Sequence, residues 1–125
     1  MRVFIADGNS TARLALQMYM QQEPGVYVTG MASEADGLVV QIEASQPDVL
    51  LLDSHLPGAS MPELLKDIRG VEAPPKIVIL SLDPDVSDLA LSAGAEAFVY
   101  KKAPPDELIK QVRLLRGTMA SSSNG

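Results

Sequence analysis

The chain contains no cysteine and no tryptophan, and its one histidine is His55. Disulfides, thiolate metal sites and cysteine nucleophiles are therefore excluded, and so is a zinc cage built on several imidazoles. No apolar run approaches the roughly 20 residues that cross a bilayer. The opening stretch MRVFIADGNS also has no basic segment followed by a long apolar one, so neither a span nor a secretory leader is expected and the expected compartment is the cytoplasm. Basic residues are scarce as well: ten Lys and Arg stand against sixteen Asp and Glu, a net charge of −6. That balance argues against direct nucleic-acid binding by this stretch and gives no basic face for a membrane. The deficit is uneven, with two basic and seven acidic side chains in residues 1–60 but eight and nine in residues 61–125.

What is present is a globular composition. Over 125 residues, 46% are hydrophobic and 21% charged, enough for one core and one domain. Short apolar runs recur at Arg2–Ala6, Val26–Gly30, Asp48–Leu52, Lys76–Leu80 and Ala97–Tyr100. The third and fourth are continuous rather than alternating, which suits central strands covered on both faces. Between the runs lie helical signals. Leu14, Ala15, Met18 and Tyr19 fall at helical spacing after Asn9 and Ser10, either of which suits a cap. Capping-box patterns stand at Ser33–Asp36 and Ser60–Glu63. Asp83-Pro84 opens a fourth helix that Gly94 closes, and Pro104-Pro105 opens a fifth that Gly117 closes. Five β-α units with right-handed crossovers predict a three-layer α/β/α sandwich, flavodoxin-like, around a parallel sheet of order 2-1-3-4-5. The expected domain is residues 1–117, and residues 118–125 read as a flexible tail or a truncated linker.

In such a sheet the ligand lies beyond the carboxyl ends of the strands. Those ends carry Asp7, Gly8 and Asn9; Asp53, Ser54 and His55; Ser81 and Asp83; and Lys101 with Lys102. Two carboxylates about 4 Å apart repel by about 4 kcal/mol at an effective dielectric near ~20, so they favour a cation between them. Oxygen ligands suit Mg²⁺, and an ammonium with a hydroxyl suits an incoming phosphoryl group. The chain has no P-loop, dinucleotide fingerprint or nucleophile elbow, so phosphoryl chemistry here needs another device.

Those four strand ends together resemble the receiver domain of two-component response regulators, from about Arg2 to Arg116. Asp53, followed by Leu56-Pro57-Gly58, matches the phospho-accepting aspartate and its turn. Ser81 matches the switch hydroxyl, Phe98 the switch aromatic and Lys101 the lysine that pairs with the phosphoryl group. The segments Gly94–Lys101 and Ala103–Leu108 look most like the subgroup carrying a C-terminal helix-turn-helix. The resemblance implies Mg²⁺ held by Asp7, Asp53 and the backbone carbonyl of His55, with the His55 side chain and Asp83 at the pocket mouth. It implies a histidine kinase as phosphoryl donor, and a switched surface made by the fourth helix, fifth strand and fifth helix. A homodimer and a C-terminal DNA-binding domain outside this chain are the further partners implied. The domain would promote its own phosphorylation without being an enzyme for an independent substrate.

Three departures from the pattern stand out. Gly8 stands where the family places a second acidic residue that coordinates the metal, so Mg²⁺ binding is expected to be weakened. Lys102 stands where proline with a cis bond is common, and a trans Lys101–Lys102 bond is expected. Ser60-Met61 replaces a common Asp-Gly, with the cap retained. Gly8 also opens an alternative reading, a degenerate receiver acting as a phosphorylation-independent interaction module. A His55–Asp83 pair across the pocket mouth is a further expectation.

Overall fold

In a computed structural model of the chain, residues 1–118 are described in full and residues 119–124 as helical backbone alone. Five strands, β1 (Arg2–Ala6), β2 (Tyr27–Ala32), β3 (Val49–Asp53), β4 (Lys76–Ser81) and β5 (Ala97–Tyr100), alternate with α1 (Ser10–Gln22), α2 (Leu38–Ser45), α3 (Met61–Arg69), α4 (Ser87–Ser92) and α5 (Pro105–Asn124). The strands are parallel throughout and lie in the order β2-β1-β3-β4-β5, the expected flavodoxin-like arrangement.

The continuous apolar runs are explained by what covers the sheet. Phe4, Leu50, Leu52, Ile77 and Ile79 face one layer, where α2 contributes Leu38 and Ile42, α3 contributes Leu64, Leu65 and Ile68, and α4 contributes Ala90. Their neighbours Val3, Ile5, Val49, Leu51, Val78, Leu80 and Val99 face the other, against Leu16 and Met20 of α1 and Leu108 and Val112 of α5. Every side chain of β3 from Val49 to Leu52 is buried, each contributing about 1.5–3 kcal/mol of burial. The alternation has a consequence at the strand ends. Carried one step beyond the core, a period of two places Asp7, Asp53 and Lys101 on the α1/α5 side of the sheet, and Ser54 and Ser81 on the α2/α3/α4 side.

The helix signals are used unevenly. Asn9 caps α1 by accepting from the Ala12 N–H, and Ser60 caps α3 by accepting from the Glu63 N–H. Asp83 caps a single 3₁₀ turn, Pro84–Val86, that leads into α4. Gly94, at φ +109°, follows the end of α4 as expected. The capping box at Ser33–Asp36 is not used: α2 begins only at Leu38, after Gly37, and no side chain caps it. The reason is a contact between loops, because the Ala35 N–H donates to the Pro57 carbonyl at 2.8 Å and holds this stretch as a turn. Gly117 does not end α5, which continues to Asn124. In the stretch read as a tail, 118–125, the side chains from 119 onward and Gly125 lie outside the described residues. No helix among the described residues is long and apolar enough to cross a membrane.

Candidate functional site

The carboxyl ends of β1, β3 and β5 bring Asp7, Asp53 and Lys101 together. The Lys101 Nζ donates to Asp7 Oδ2 at 2.6 Å and lies 3.3 Å from Asp53 Oδ1. Asp7 is 1% exposed at its side chain, Asp53 13% and Lys101 16%, so the pairing is shielded from solvent. The other Asp7 oxygen accepts from the Asn9 N–H at 2.9 Å, which ties the carboxylate to the start of α1. Asp53 Oδ1 also receives a long contact of 3.3 Å from the His55 N–H. Among the described residues no donor is bonded to Asp53 Oδ2. Two carboxylates and one ammonium leave a net charge of −1. Arg13 of α1, unremarked in the sequence reading, brings a second cation to the rim by donating to the Asp7 backbone carbonyl at 2.7 Å.

Ser81, fully buried, does not contact Asp53. Its Oγ lies 2.7 Å from Ser54 Oγ and accepts from the Asp83 N–H at 3.0 Å. Ser54 Oγ lies in turn 2.8 Å from His55 Nδ1. From the sequence Ser54 is only a strand-end residue. Parallel register pairs Asp53 with Leu80, so the next residues along, Ser54 and Ser81, face each other on the same side of the sheet. That signal was available in the apolar alternation of β3 and β4.

The expected His55–Asp83 pair is not formed. The imidazole is bonded to Ser54, and Asp83 Oδ1 accepts from the Asp85 N–H at 2.9 Å. Each side chain has a nearer partner on its own loop, at no cost in loop closure. Phe98 is half-buried against the α2/α3/α4 layer. No peptide bond among the described residues is cis, so Lys101–Lys102 is trans.

The chain matches the family model for the response regulator receiver domain over residues 3–113. It belongs to that family. This receiver is 27% identical over 110 residues to the nitrate/nitrite response regulator protein NarL of Escherichia coli, covering 86% of the chain and 51% of that protein. It is 30% identical over 115 residues to the transcriptional regulatory protein LiaR of Bacillus subtilis, covering 90% and 54%. Among solved structures it is similar to the signal receiver domain of the putative response regulator NarL from Mycobacterium tuberculosis, with TM-score 0.82, 28% identity and coverage of 93% and 96%. The chain thus spans about half the length of the curated relatives it matches.

Receivers generally bind Mg²⁺ beside the phospho-acceptor, and here the residues fit it poorly. No third acidic side chain joins Asp7 and Asp53, and the described residues contain no group of three or more acidic, His or Cys side chains placed to hold a metal. A Cβ built at Gly8 would lie 2.9 Å from Pro57 Cδ and 3.1 Å from Pro57 Cγ. A proline ring cannot swing aside, and its carbonyl is held by Ala35. A side chain at Gly8 would therefore need the Pro57 turn to shift, and the cation between the carboxylates is the chain's own ammonium.

Proposed function

We propose that this receiver takes a phosphoryl group from a histidine kinase onto Asp53. The observation that carries the reading is the Lys101 ammonium lying between Asp7 and Asp53 at the sheet's carboxyl edge. Asp53 Oδ2 attacks the phosphorus of a phosphohistidine. The P–N bond breaks, its electron pair stays on the imidazole nitrogen, and an acyl phosphate forms. The acceptor's charge goes from −1 toward about −2, and Lys101, already 3.3 Å away, neutralises part of the increase without reorganisation. With no carboxylate at Gly8, Mg²⁺ binding is expected to be weakened, and no step above is routed through the ion.

The response is a population shift in α4, β5 and α5, in which Ser81 and Phe98 change partners. Leu89 and Leu91 of α4 are 52% and 47% exposed, an apolar surface suited to association with a second copy or with a C-terminal DNA-binding domain outside this chain. The domain acts in the cytoplasm and turns over no substrate of its own. It includes residues 1–117, and α5 continues beyond Gly117.

Gly8 favours a second reading, a phosphorylation-independent interaction module, because it offers no carboxylate to a metal. Intact mass after incubation with acetyl phosphate, run across a Mg²⁺ titration, separates the two. A gain of one phosphoryl mass that Asp53→Asn abolishes supports phosphotransfer. No gain with either acetyl phosphate or a phosphorylated kinase domain supports the module.

A further inference from the structure

We propose that Ser54 is a positioning residue that restrains the switch hydroxyl: it holds Ser81 away from Asp53, and phosphorylation has to break that hold. The inference rests on Asp53 being the phospho-acceptor.

The geometry has three parts. Ser81 Oγ is fully buried, and both its partners, Ser54 Oγ at 2.7 Å and the Asp83 N–H at 3.0 Å, lie away from the acceptor carboxylate. A hydroxyl has one proton and two lone pairs. If Ser54 donates, both lone pairs of Ser81 are taken and its oxygen is anchored, although its own proton stays unspent. If Ser81 donates, its only proton is spent on Ser54. Either polarity holds the Ser81 oxygen on the Ser54 side, so the hold on its position, unlike the direction of its proton, does not depend on which nitrogen of His55 carries a proton.

The second part is placement. Asp53 and Ser54 are consecutive and point to opposite sides of the sheet, and Ser81 shares the Ser54 side. Acceptor and restraint therefore sit on one short segment, and Ser81 must choose between them. The third part is reach. The Asp83 N–H bonded to Ser81 stands immediately before the 3₁₀ turn that leads into α4, so movement of Ser81 bears directly on the start of that helix.

Two measurements test the restraint. In the unphosphorylated chain, Ser54→Ala is expected to speed amide exchange across Leu82–Ala93 about fivefold, the worth of one neutral hydrogen bond. Ser54→Thr, which keeps the hydroxyl, restores the slow rate. In a Ser81→Ala background, Ser54→Ala has no further effect. Equal exchange in Ser54→Ala and the parent chain, or an effect that persists without the Ser81 hydroxyl, overturns the proposal. With acetyl phosphate as donor, Ser54→Ala lowers the half-saturating concentration about fivefold, a gain that a merely structural loss does not produce. A rise in that concentration shows that Ser54 supports Ser81 rather than restraining it, and also overturns the proposal. If neither parent nor variant gains phosphoryl mass, the acceptor reading fails, and the exchange experiment alone decides whether Ser54 restrains Ser81.

Discussion

The two sides of the sheet's carboxyl edge are built differently. On the α1/α5 side three charged groups, Asp7, Asp53 and Lys101, are already in contact, with Lys101 2.6 Å from one carboxylate and 3.3 Å from the other. On the α2/α3/α4 side the hydroxyls are neutral, and Ser54 and Ser81 bond each other instead of Asp53. Charges shielded from solvent must be paired wherever they lie, so the ionic side is already organised in the free chain. Hydroxyls carry no such obligation toward Asp53 and are satisfied by any nearby partner. The chemistry is thus preset on one side, and the capacity to respond is held on the other.

Substitutions that remove one charge should break this contrast most strongly. Lys101→Ala strands the Asp7 carboxylate, 1% exposed, and is expected to cost about 3 kcal/mol in urea unfolding, with part recovered by adding Asp7→Asn. Recovery shows that the cost is an unpaired charge rather than lost packing; equal instability of the double variant contradicts it. Next comes the space at Gly8. Gly8→Ala presses a methyl on the Pro57 ring and should cost about 1–3 kcal/mol, relieved by Pro57→Ala. The pair Gly8→Asp and Pro57→Ala should bind Mg²⁺ at least about tenfold more tightly than the parent, measured by calorimetry. Unchanged affinity means that the ammonium, not the ring, is what keeps the metal out.

On the hydroxyl side, the Ser54→Ala and Ser81→Ala cycle should show a coupling near 1 kcal/mol in unfolding, well below the ionic effect. A coupling as large as that of Lys101 with Asp7 would erase the contrast. The smallest effect is expected at a surface pair remote from both sides. Arg113 donates from Nε and from its second guanidinium nitrogen to the two oxygens of Glu23, and this hydrogen bonding lowers the Glu23 pKa below its ordinary value and raises that of Arg113. A carboxylate with a depressed folded pKa contributes stability present above its unfolded pKa and lost as pH falls through the folded value. Arg113→Ala should therefore move the Glu23 titration upward by NMR and flatten the acid limb of stability slightly; an unmoved Glu23 means that the ion pair is not populated in solution.

Much of the ionic side was legible in the residues. Asp7, Asp53 and Lys101 each follow an apolar run, and parallel strands in the order 2-1-3-4-5 have to bring those ends together. The hydroxyl side was harder to read. Ser81 was expected to serve the acceptor, but its partner is Ser54, which only the alternation of β3 and β4 could have indicated. The unused box at Ser33–Asp36 and the unformed His55–Asp83 pair have opposite causes: a local pattern gave way to a contact with a distant loop in the first, and a distant pairing gave way to closer partners on the same loop in the second.

By itself the sequence determined the five strand runs, their covering on both faces, and the charged residues at their ends, because side-chain period and crossover handedness leave few alternatives. It also showed that an acidic side chain is missing at Gly8. Only the tertiary structure decided what stands in that place, the Pro57 ring held by Ala35, and which way Ser81 faces. The reason is physical. Burial patterns are written in each run separately, whereas a filled space or a shared hydroxyl depends on loops that meet only after the sheet has formed.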